Sequence, residues 1–462
     1  MRKSLIGDKA LYRQVLTVAL PIILQNLITN FVSVLDNVMV GQLSTAQIGA
    51  VTIVNNNLLF ILNVCLFGGA AGAGIFTTQF YGSGNQEGIR YTVRYKLFMC
   101  LMVAAVGIGI FTLGSDGLIG LYLQGEGDAQ LRADTLRYGR EYLFIMLVGI
   151  VPFAVNNVYA STLRECGHPM VPMIAGMVAM GVNLVGNYIL IFGHFGAPQM
   201  GVAGAAAATV VSRYVEASIV IAWTHLHPQK SPYFKGLYRS VYIPASLLKS
   251  IAIKGMPVLA NEAAYTIGMA FLNQCYSTCA LEVVPALSIS TTIYNLMAVT
   301  FRSLGSAVGI IMGHKMGAGT QRDKVYDDNK KLLALSVLTG VIFGGATVAL
   351  AKVFPMLFNT TGSVRQLATS LIVISAVMMP LQAYIFSVYF TLQAGGKTVL
   401  TFMFDGGAIW VLMIPIAFIL SRYTGANILV IFTLCNAVNL IKCFIGYYFL
   451  RRRGWIQNLA AK

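Results

Sequence analysis

One carboxylate, Asp36, stands inside a long apolar segment, residues 15–43, that otherwise has the composition of a membrane-spanning helix. A charged side chain in hydrocarbon costs several kcal/mol, so an acid at this depth usually marks the path of an ion, a proton or a cationic ligand. The same segment carries Pro21, Gln25 and Asn26, which indicates a helix that lines a polar cavity. We therefore interpret Asp36 as the residue that meets a mobile cation.

Two asparagines in a later apolar segment could also bind a cation. Asn183 and Asn187 are four residues apart, so their amides project from one face of a helix. Neutral and charged oxygens are the ligands of hard cations, although asparagines in membranes also commonly form interhelical hydrogen bonds. Asn183 and Asn187 are therefore candidate ligands of a hard cation such as Na⁺, and we expect no other metal and no organic cofactor.

A second acid, Glu262, lies in the seventh apolar segment without a basic residue within two turns on its own helix. We interpret it as a second site for a proton or a substrate cation. Arg302 in the eighth segment is an alternative partner, and an ion pair with Arg302 would make Glu262 charged and structural.

Other charges at membrane depth have the spacing of structural pairs. Arg213 and Glu216 are three residues apart, so we expect them to neutralise each other. Lys442 and Arg302 are interpreted as structural charges as well. For Asp405, near the predicted cytoplasmic end of the eleventh span, we expect a packing or gating role.

The composition places these residues in a membrane. The chain has 462 residues, of which 57% are hydrophobic and 10% charged, whereas a soluble domain has about 25% charged residues. A helix needs about 20 apolar residues to cross a bilayer. The sequence therefore predicts an all-α polytopic membrane protein with twelve transmembrane helices. The predicted spans are residues 15–42, 48–80, 97–120, 138–163, 169–193, 201–225, 255–279, 284–313, 332–354, 366–393, 398–420 and 426–450.

The formal charge of +16 could indicate nucleic-acid binding, but the positions of the basic residues indicate a topology instead. With a cytoplasmic N-terminus, most of the 32 lysines and arginines fall on the cytoplasmic side, as the positive-inside rule requires. We expect a multi-pass protein of the cell (plasma) membrane with both termini in the cytoplasm. The bilayer surrounds it, nucleic acid is no partner, and a monomer is expected.

Two motifs occur twice in the chain. Gly82-Ser-Gly84 follows the second predicted span and Gly317-Ala-Gly319 follows the eighth; Val158–Gly167 is similar to Val388–Gly396. Each half holds six spans, so the halves have the same orientation and form a parallel repeat. This predicts two pseudo-symmetric six-helix bundles. Their bounds are 1–225 for the N-terminal lobe, 226–254 for a cytoplasmic linker and 255–462 for the C-terminal lobe.

Four segments, in order along the chain, resemble the multidrug and toxic compound extrusion (MATE) family. Leu20–Leu43 is similar to the family's opening helix, and Leu163–Pro172 to its turn between helices four and five. Asn183–Gly193 and Gly201–Arg213 are similar to its fifth and sixth helices. The resemblance extends over essentially the whole chain, and it rests on the order and spacing of these segments together.

The resemblance implies a secondary active antiporter that exports organic cations or drugs in exchange for Na⁺ or H⁺ by alternating access of two lobes. It also implies a cation site at Asp36, Asn183 and Asn187. Some branches of the family have an acid where this chain has Asn187, which leaves the coupling ion open. Other branches place a glutamate in helix seven, where this chain has Glu262. A tenth-helix acid of some members is absent, and Gln382 lies in that region.

Further polar side chains at membrane depth could line a substrate cavity. Asparagines of the second span and polar residues of the eighth occupy nearly equivalent positions of the repeat. The candidates are Gln25, Asn55, Asn56, Asn261, Tyr294 and Asn295.

Two other function classes compete with cation export. A lipid-linked oligosaccharide flippase of the same superfamily would need cationic cavity residues for a pyrophosphate, but the acids at membrane depth slightly outnumber the bases. An enzyme is disfavoured because the chain has no H-E-x-x-H, G-x-S-x-G or paired-acid motif. There is also no P-loop, so this chain does not use ATP.

Overall fold

The computed structural model describes residues 6–123 and 128–461, and within these ranges every regular element is helical. Three basic residues of the predicted cytoplasmic side lie outside the described residues: Arg2, Lys3 and Lys462. Twelve helical elements correspond to the twelve predicted spans. They are α1 (Lys9–Val40), α2 (Thr45–Gly82), α3 (Gln86–Leu123), α4 (Ala129–Val148 with Ile150–Glu165), α5 (Met170–Phe192), α6 (Val202–Leu226), α7 (Ala245–Ser277), α8 (Val283–Gly317), α9 (Arg322–Leu350), α10 (Gly362–Ala394), α11 (Thr398–Tyr423) and α12 (Ile428–Arg451).

Most of these helices are long and apolar enough to cross a bilayer. Ten of them qualify singly, and the two parts of α4, which meet at a 46° bend, qualify as a pair. The remaining helix, α7, has 33 residues and is long enough, but it includes Asn261 and Glu262 and is less apolar. Because hydrocarbon offers no hydrogen-bond partner to an open backbone, an apolar chain of this kind must be helical throughout its spans. The protein is an all-α polytopic membrane protein, as predicted.

Two of the helices contain wider π-helical turns. One is Val54–Leu59 in α2, which contains the asparagines at 55–57, and α11 has two, Met403–Gly407 and Ile409–Met413. Such turns are rare and occur frequently at functional sites. In α11 the first of them contains Asp405, whose side chain it projects into the interior of its unit.

The helices form two compact units. The N-unit comprises residues 24–77 and 86–251, and the C-unit comprises the described residues in 6–23, 78–85 and 252–461. The predicted lobes differ from these units at three places. The first part of α1 and the end of α2 pack within the C-unit, and the predicted linker 226–254 belongs almost entirely to the N-unit.

In the N-unit, α5 packs along α6, while α4 contacts α2, α3 and α6. A buried ion pair joins α3 to the end of α4: Lys96, fully buried, donates to Glu165 and to the hydroxyls of Ser161 and Thr162. The linker is attached to the same unit, because Arg94 on α3 donates to the backbone carbonyls of residues 236, 237 and 242.

In the C-unit, α10 is central and packs against α8, α9 and α12. One apolar cluster joins the first part of α1 to α8, α9, α10 and the tail after α12, where Trp455 is almost completely buried. A second cluster joins α7, α8, α10, α11 and α12. The helices of the C-unit also hold three polar residues in their interior, Asn261, Asp405 and Lys442.

The repeated glycines have the same conformations in both halves. Gly84 and Gly319, in the first pair of motifs, have φ of 72° and 69°; Gly167 and Gly396, in the second pair, have φ of 78° and 73°. A residue with a Cβ rarely adopts these angles. The internal repeat inferred from sequence therefore has a structural counterpart at its turns.

The other glycines of the first motif permit a close approach of two helix ends. A Cβ on Gly82 would overlap the carbonyl oxygen of His314, and a Cβ on Gly317 would overlap that of Gln79. The Gln79 side chain fixes the same junction: it donates to Ala394 O at 2.8 Å and accepts from Leu459 N at 2.6 Å. These contacts explain why residues 78–85 pack within the C-unit.

This junction predicts the effect of one methyl group. Gly317→Ala should lower the free energy of unfolding by about 1–3 kcal/mol, the usual cost of overpacking, because the clash is with backbone that cannot rotate away. The measurement is thermal unfolding of the purified protein in detergent.

Gly345→Ala on α9 is the matched control, because nothing lies within 4 Å of its Cβ position. Alanine is the better helix former, so this control should be neutral or slightly stabilising. Equal effects of the two substitutions would contradict the close approach at Gly317.

Candidate functional site

The predicted cation site is assembled in the N-unit. Asp36 on α1 is partly buried, and Asn183 and Asn187 on α5 are almost completely buried. The amide nitrogen of Asn187 donates to Asp36 Oδ1 at 2.8 Å. Since the asparagines are one turn apart on one helix, both amides reach the same carboxylate. The three residues that sequence analysis combined therefore lie together.

Asn183 also donates to this carboxylate. Its amide nitrogen lies 3.0 and 3.1 Å from the two carboxylate oxygens of Asp36, and its amide oxygen accepts from Thr209 Oγ1 at 3.2 Å. Together with Asn187, it surrounds Asp36 with donors that suit an ionised carboxylate.

Two features give this site capacity for a cation. Asn187 Oδ1 is buried and has no hydrogen-bond partner in the part of the chain that the structure describes, and a buried acceptor without a donor calls for an explanation. Among the described residues, no lysine, arginine or histidine forms an ion pair with Asp36. Carboxylate, amide and hydroxyl oxygens are a suitable donor set for a hard cation such as Na⁺.

The other polar candidates of the N-unit differ in whether they form hydrogen bonds between helices or are exposed. Gln25 donates to Pro172 O at 3.3 Å and so connects α1 to the start of α5. Asn55 donates to Tyr142 Oη at 2.8 Å, whereas Asn56 is exposed on α2. Of these three, only Asn56 has a side chain freely available on the surface of the unit.

The expected ion pair between Arg213 and Glu216 is not formed. No salt bridge within the described residues joins them, and the Arg213 guanidinium lies 4.7 Å from the ring centroid of Phe153. Spacing of three residues brings two side chains to one face but does not fix their rotamers, and an aromatic face competes for the cation. Both remain charges held inside the N-unit.

The same outcome applies to Glu262 and Arg302 in the C-unit. No salt bridge joins them within the described ranges, and Arg302 lies 5.1 Å from the ring centroid of Phe386. Glu262 is exposed on its unit. The alternative in which Arg302 neutralises Glu262 is therefore not what the structure has, and the role of Glu262 as a second proton or cation site stays a prediction.

Asn261 has a different position from the one expected for a cavity residue. It is almost fully buried: it donates to Tyr389 Oη at 3.2 Å and accepts from Gly406 N at 2.9 Å, with Asp405 Oδ2 at 3.5 Å from its nitrogen. Its polar atoms are used in joining α7 to α10 and α11. The prediction that Asn261 lines a substrate cavity was wrong, because burial and saturation cannot be inferred from a polar residue in an apolar helix.

Lys442 has a partner that the sequence did not identify. Its ammonium donates to Asp405 Oδ1 at 2.8 Å, so α11 and α12 are joined by an ion pair inside the C-unit. Tyr294 lines a cavity beside this pair, whereas Asn295 is exposed. The signal for the pair was available, since opposite charges stood at membrane depth on consecutive spans. Thr209 was also missed, although it lies one turn before Arg213 on the same helix.

Comparison with known proteins agrees with this architecture. A family model described as MatE matches two segments of the chain, residues 21–189 and 257–419. The chain belongs to the MATE family. The two matches begin near the two prolines of α1 and α7, Pro21 and Pro257, and agree with the internal repeat. Members of this family are membrane transporters and not enzymes, as the absence of catalytic motifs predicted.

Relatives and solved structures cover almost the full length. The probable multidrug resistance protein NorM of Thermotoga maritima is 23% identical over 90% of this chain and 87% of its own length. The probable multidrug resistance protein YoeA of Bacillus subtilis is 25% identical over 97% of this chain and 96% of its own length. A crystal structure of MATE in complex with MaL6 superimposes with a TM-score of 0.84 at 19% identity, covering 97% of both chains. This last similarity shows that the fold is shared.

The MATE site geometry predicts unequal roles for two asparagines. Asn187→Leu should lower the free energy of unfolding at pH 8 by about 1.5–3 kcal/mol, the range for a hydrogen bond to a charged group, because Asp36 loses its donor at 2.8 Å. Thermal unfolding in detergent measures the change. Asn56→Leu, on the exposed face of α2, is the control and should change stability by less than about 0.5 kcal/mol. A loss no larger than the control's would contradict the bond between Asn187 and Asp36.

Proposed function

We propose that this MATE protein is a secondary active antiporter that exports organic cations in exchange for Na⁺ or H⁺. Family membership supports transport, and the names of the relatives, multidrug resistance proteins, support drugs as the cargo class. The observation that carries the proposal is the partly buried carboxylate of Asp36, which has amide donors around it and no fixed cation among the described residues. Such a group is neutralised by whatever mobile cation reaches it.

The hydrogen bonds around Asp36 support a mechanism for exchange. When Asp36 is ionised, Asn183 and Asn187 both donate to it and compensate part of its charge. We propose that, when a proton or Na⁺ binds, the Asn183 amide turns so that its oxygen faces the carboxylate and its nitrogen faces the Thr209 hydroxyl. Asn187 Oδ1 is the further oxygen at hand for a bound cation. Ion binding therefore rearranges hydrogen bonds between α1, α5 and α6.

This rearrangement has a path into the rest of α1. Pro21 interrupts the hydrogen bonding of that helix, close to the point where α1 leaves the C-unit and enters the N-unit. We propose that occupation of Asp36 alters the packing of α1 at this proline and lowers affinity for the cationic cargo. Alternating access of the two lobes would then release the cargo on the far side.

The basic residues at membrane depth support cationic cargo over a pyrophosphate. Lys442 is paired with Asp405, while Arg213 and Arg302 lie against aromatic rings. None of them adds an unpaired positive charge beside Asp36. A lipid-linked oligosaccharide would require the opposite arrangement. We also propose a monomer in the plasma membrane with both termini in the cytoplasm, in keeping with the basic residues of the predicted cytoplasmic connections.

The test is transport of ethidium in proteoliposomes, with Na⁺ and pH gradients imposed separately. The protein should move ethidium against its concentration gradient when one of the two gradients is present. Asp36→Asn should reduce the coupled rate at least about tenfold, since loss of one charged interaction of 1.4 kcal/mol or more has this effect. The gradient that drives transport identifies the coupling ion.

The control is Asp116→Asn, the same chemical change at an exposed acid that pairs with Arg140 at 3.5 Å. It should retain normal transport. If neither gradient drives ethidium movement, cation antiport is wrong. If Asp36→Asn protein, present at normal levels, still concentrates ethidium, antiport stands but Asp36 is not its coupling residue.

A further inference from the structure

The C-unit contains a cavity that the cation site does not use. Its volume is about 130 Å³, and its walls come from α7, α8, α10, α11 and α12. The walls are mainly apolar, with aromatic rings from Tyr265, Tyr294 and Phe432, and they carry polar groups on the side of α11 and α12. Cavities of about 150 Å³ in proteins accept a molecule as large as benzene. This cavity is slightly smaller, so its volume is close to that of a single ring, and polar groups lie at its edge.

Two opposite charges meet at the polar side of the cavity. Lys442 Nζ and Asp405 Oδ1 are 2.8 Å apart, both residues line the cavity, and the side chains are only 7% and 18% exposed. An ammonium has three N–H donors and a carboxylate has about four acceptor positions. The ion pair occupies one donor of Lys442 and one acceptor position of Asp405, so both groups keep capacity for a ligand.

A third polar group at the cavity has an unsatisfied donor in the described part of the chain. Asn439 is 2% exposed, lines the cavity, and lies one turn before Lys442 on α12. Its amide nitrogen makes no hydrogen bond. Buried donors are almost always satisfied in folded proteins. Asn439 therefore offers a donor to an acceptor that enters the cavity, on the same helix face as the ammonium.

The balance of charges selects the ligand. A simple cation on Asp405 would repel Lys442, and a simple anion on Lys442 would repel Asp405, so either ligand would weaken a buried ion pair. A ligand that carries both charges on neighbouring atoms preserves the balance. An α-amino acid head group has this arrangement, and the apolar walls are suited to an aromatic or large apolar side chain.

We propose that the C-unit cavity binds a compact zwitterion, an α-amino acid with an aromatic or large apolar side chain. Its carboxylate accepts from Lys442 and Asn439, its ammonium donates to Asp405, and its side chain lies among the aromatic walls. The proposal goes beyond cation antiport, because this site contains neither Asp36 nor any residue of the N-unit.

The experiment compares three probes with one phenyl ring and different charges. They are tritiated L-phenylalanine, which is a zwitterion, 2-phenylethylamine, which is a cation, and 3-phenylpropanoate, which is an anion. Binding to the full-length protein in lipid nanodiscs is measured at pH 7 by scintillation proximity. L-Phenylalanine should bind at least tenfold more tightly than either analogue. Equal binding of the three, or no binding of L-phenylalanine, overturns the proposal.

A pair of matched substitutions locates the binding. Asn439→Leu removes the unpartnered donor and should weaken L-phenylalanine binding by about tenfold, the value of one hydrogen bond to a charged group. Asn436→Leu is the control: it lines the same cavity, but its amide already donates to Phe432 O at 2.9 Å in its own helix. It should change affinity less than about twofold. Equal effects of the two substitutions contradict the assigned head-group position.

The charge pair is tested without leaving a buried charge alone. The double variant Asp405→Asn/Lys442→Gln keeps a hydrogen-bonding pair of similar size, and thermal unfolding verifies that it folds. Its affinity for L-phenylalanine should fall to that of the two analogues; retention of wild-type affinity overturns the proposal. Asp36→Asn protein should bind L-phenylalanine as wild type does. Failure of this proposal and failure of cation antiport are thus separately observable.

Discussion

A carboxylate at membrane depth without a fixed counter-ion is the constraint from which the rest of this structure can be understood. Hydrocarbon does not stabilise a bare charge, and the protein surrounds Asp36 with amide donors. In the function proposed above, a mobile ion supplies the remaining neutralisation. Asn183 is suited to this because an amide can present either a donor or an acceptor from the same position. The hydroxyl of Thr209 can donate to the amide oxygen of Asn183 or accept from its amide nitrogen.

Each half holds an acid at membrane depth, and the two halves stabilise that acid differently. In the C-unit the acid on α11, Asp405, has a permanent partner in Lys442, and Asn261 holds the backbone of α11 beside it. The N-unit has no such partner for Asp36 among the described residues. Duplication gave both halves the same helices and the same glycine turns, while their interior charges diverged. The acid of the N-unit has no fixed counter-ion among the described residues, whereas the acid of the C-unit forms an ion pair next to a cavity.

Much of this was predictable from the sequence, for identifiable reasons. Helical spacing placed Asn183 and Asn187 on one face, and the family resemblance grouped them with Asp36, which Asn187 contacts in the structure. The expected ion pair of Arg213 was wrong, and the pair left open for Arg302 is not formed, because both guanidinium groups lie against aromatic rings. Spacing along a helix does not reveal a ring on a neighbour. Asn261 was misplaced because polarity does not show whether hydrogen bonds are already made. Hydropathy located all twelve helices, yet it could not indicate that the ends of α1 and α2 pack in the C-unit.

The packing of the ends of α1 and α2 in the C-unit affects how the protein is assembled during synthesis. The stretches 6–23 and 78–85 leave the ribosome early, but their packing partners on α8, α10 and the tail around Trp455 are made hundreds of residues later. Chains are synthesised from the N-terminus at about 5–20 residues per second. These two segments therefore remain without their packing partners for many seconds during synthesis. Residues 6–23 and 78–85 reach their final packing only after the tail around Trp455 has been made.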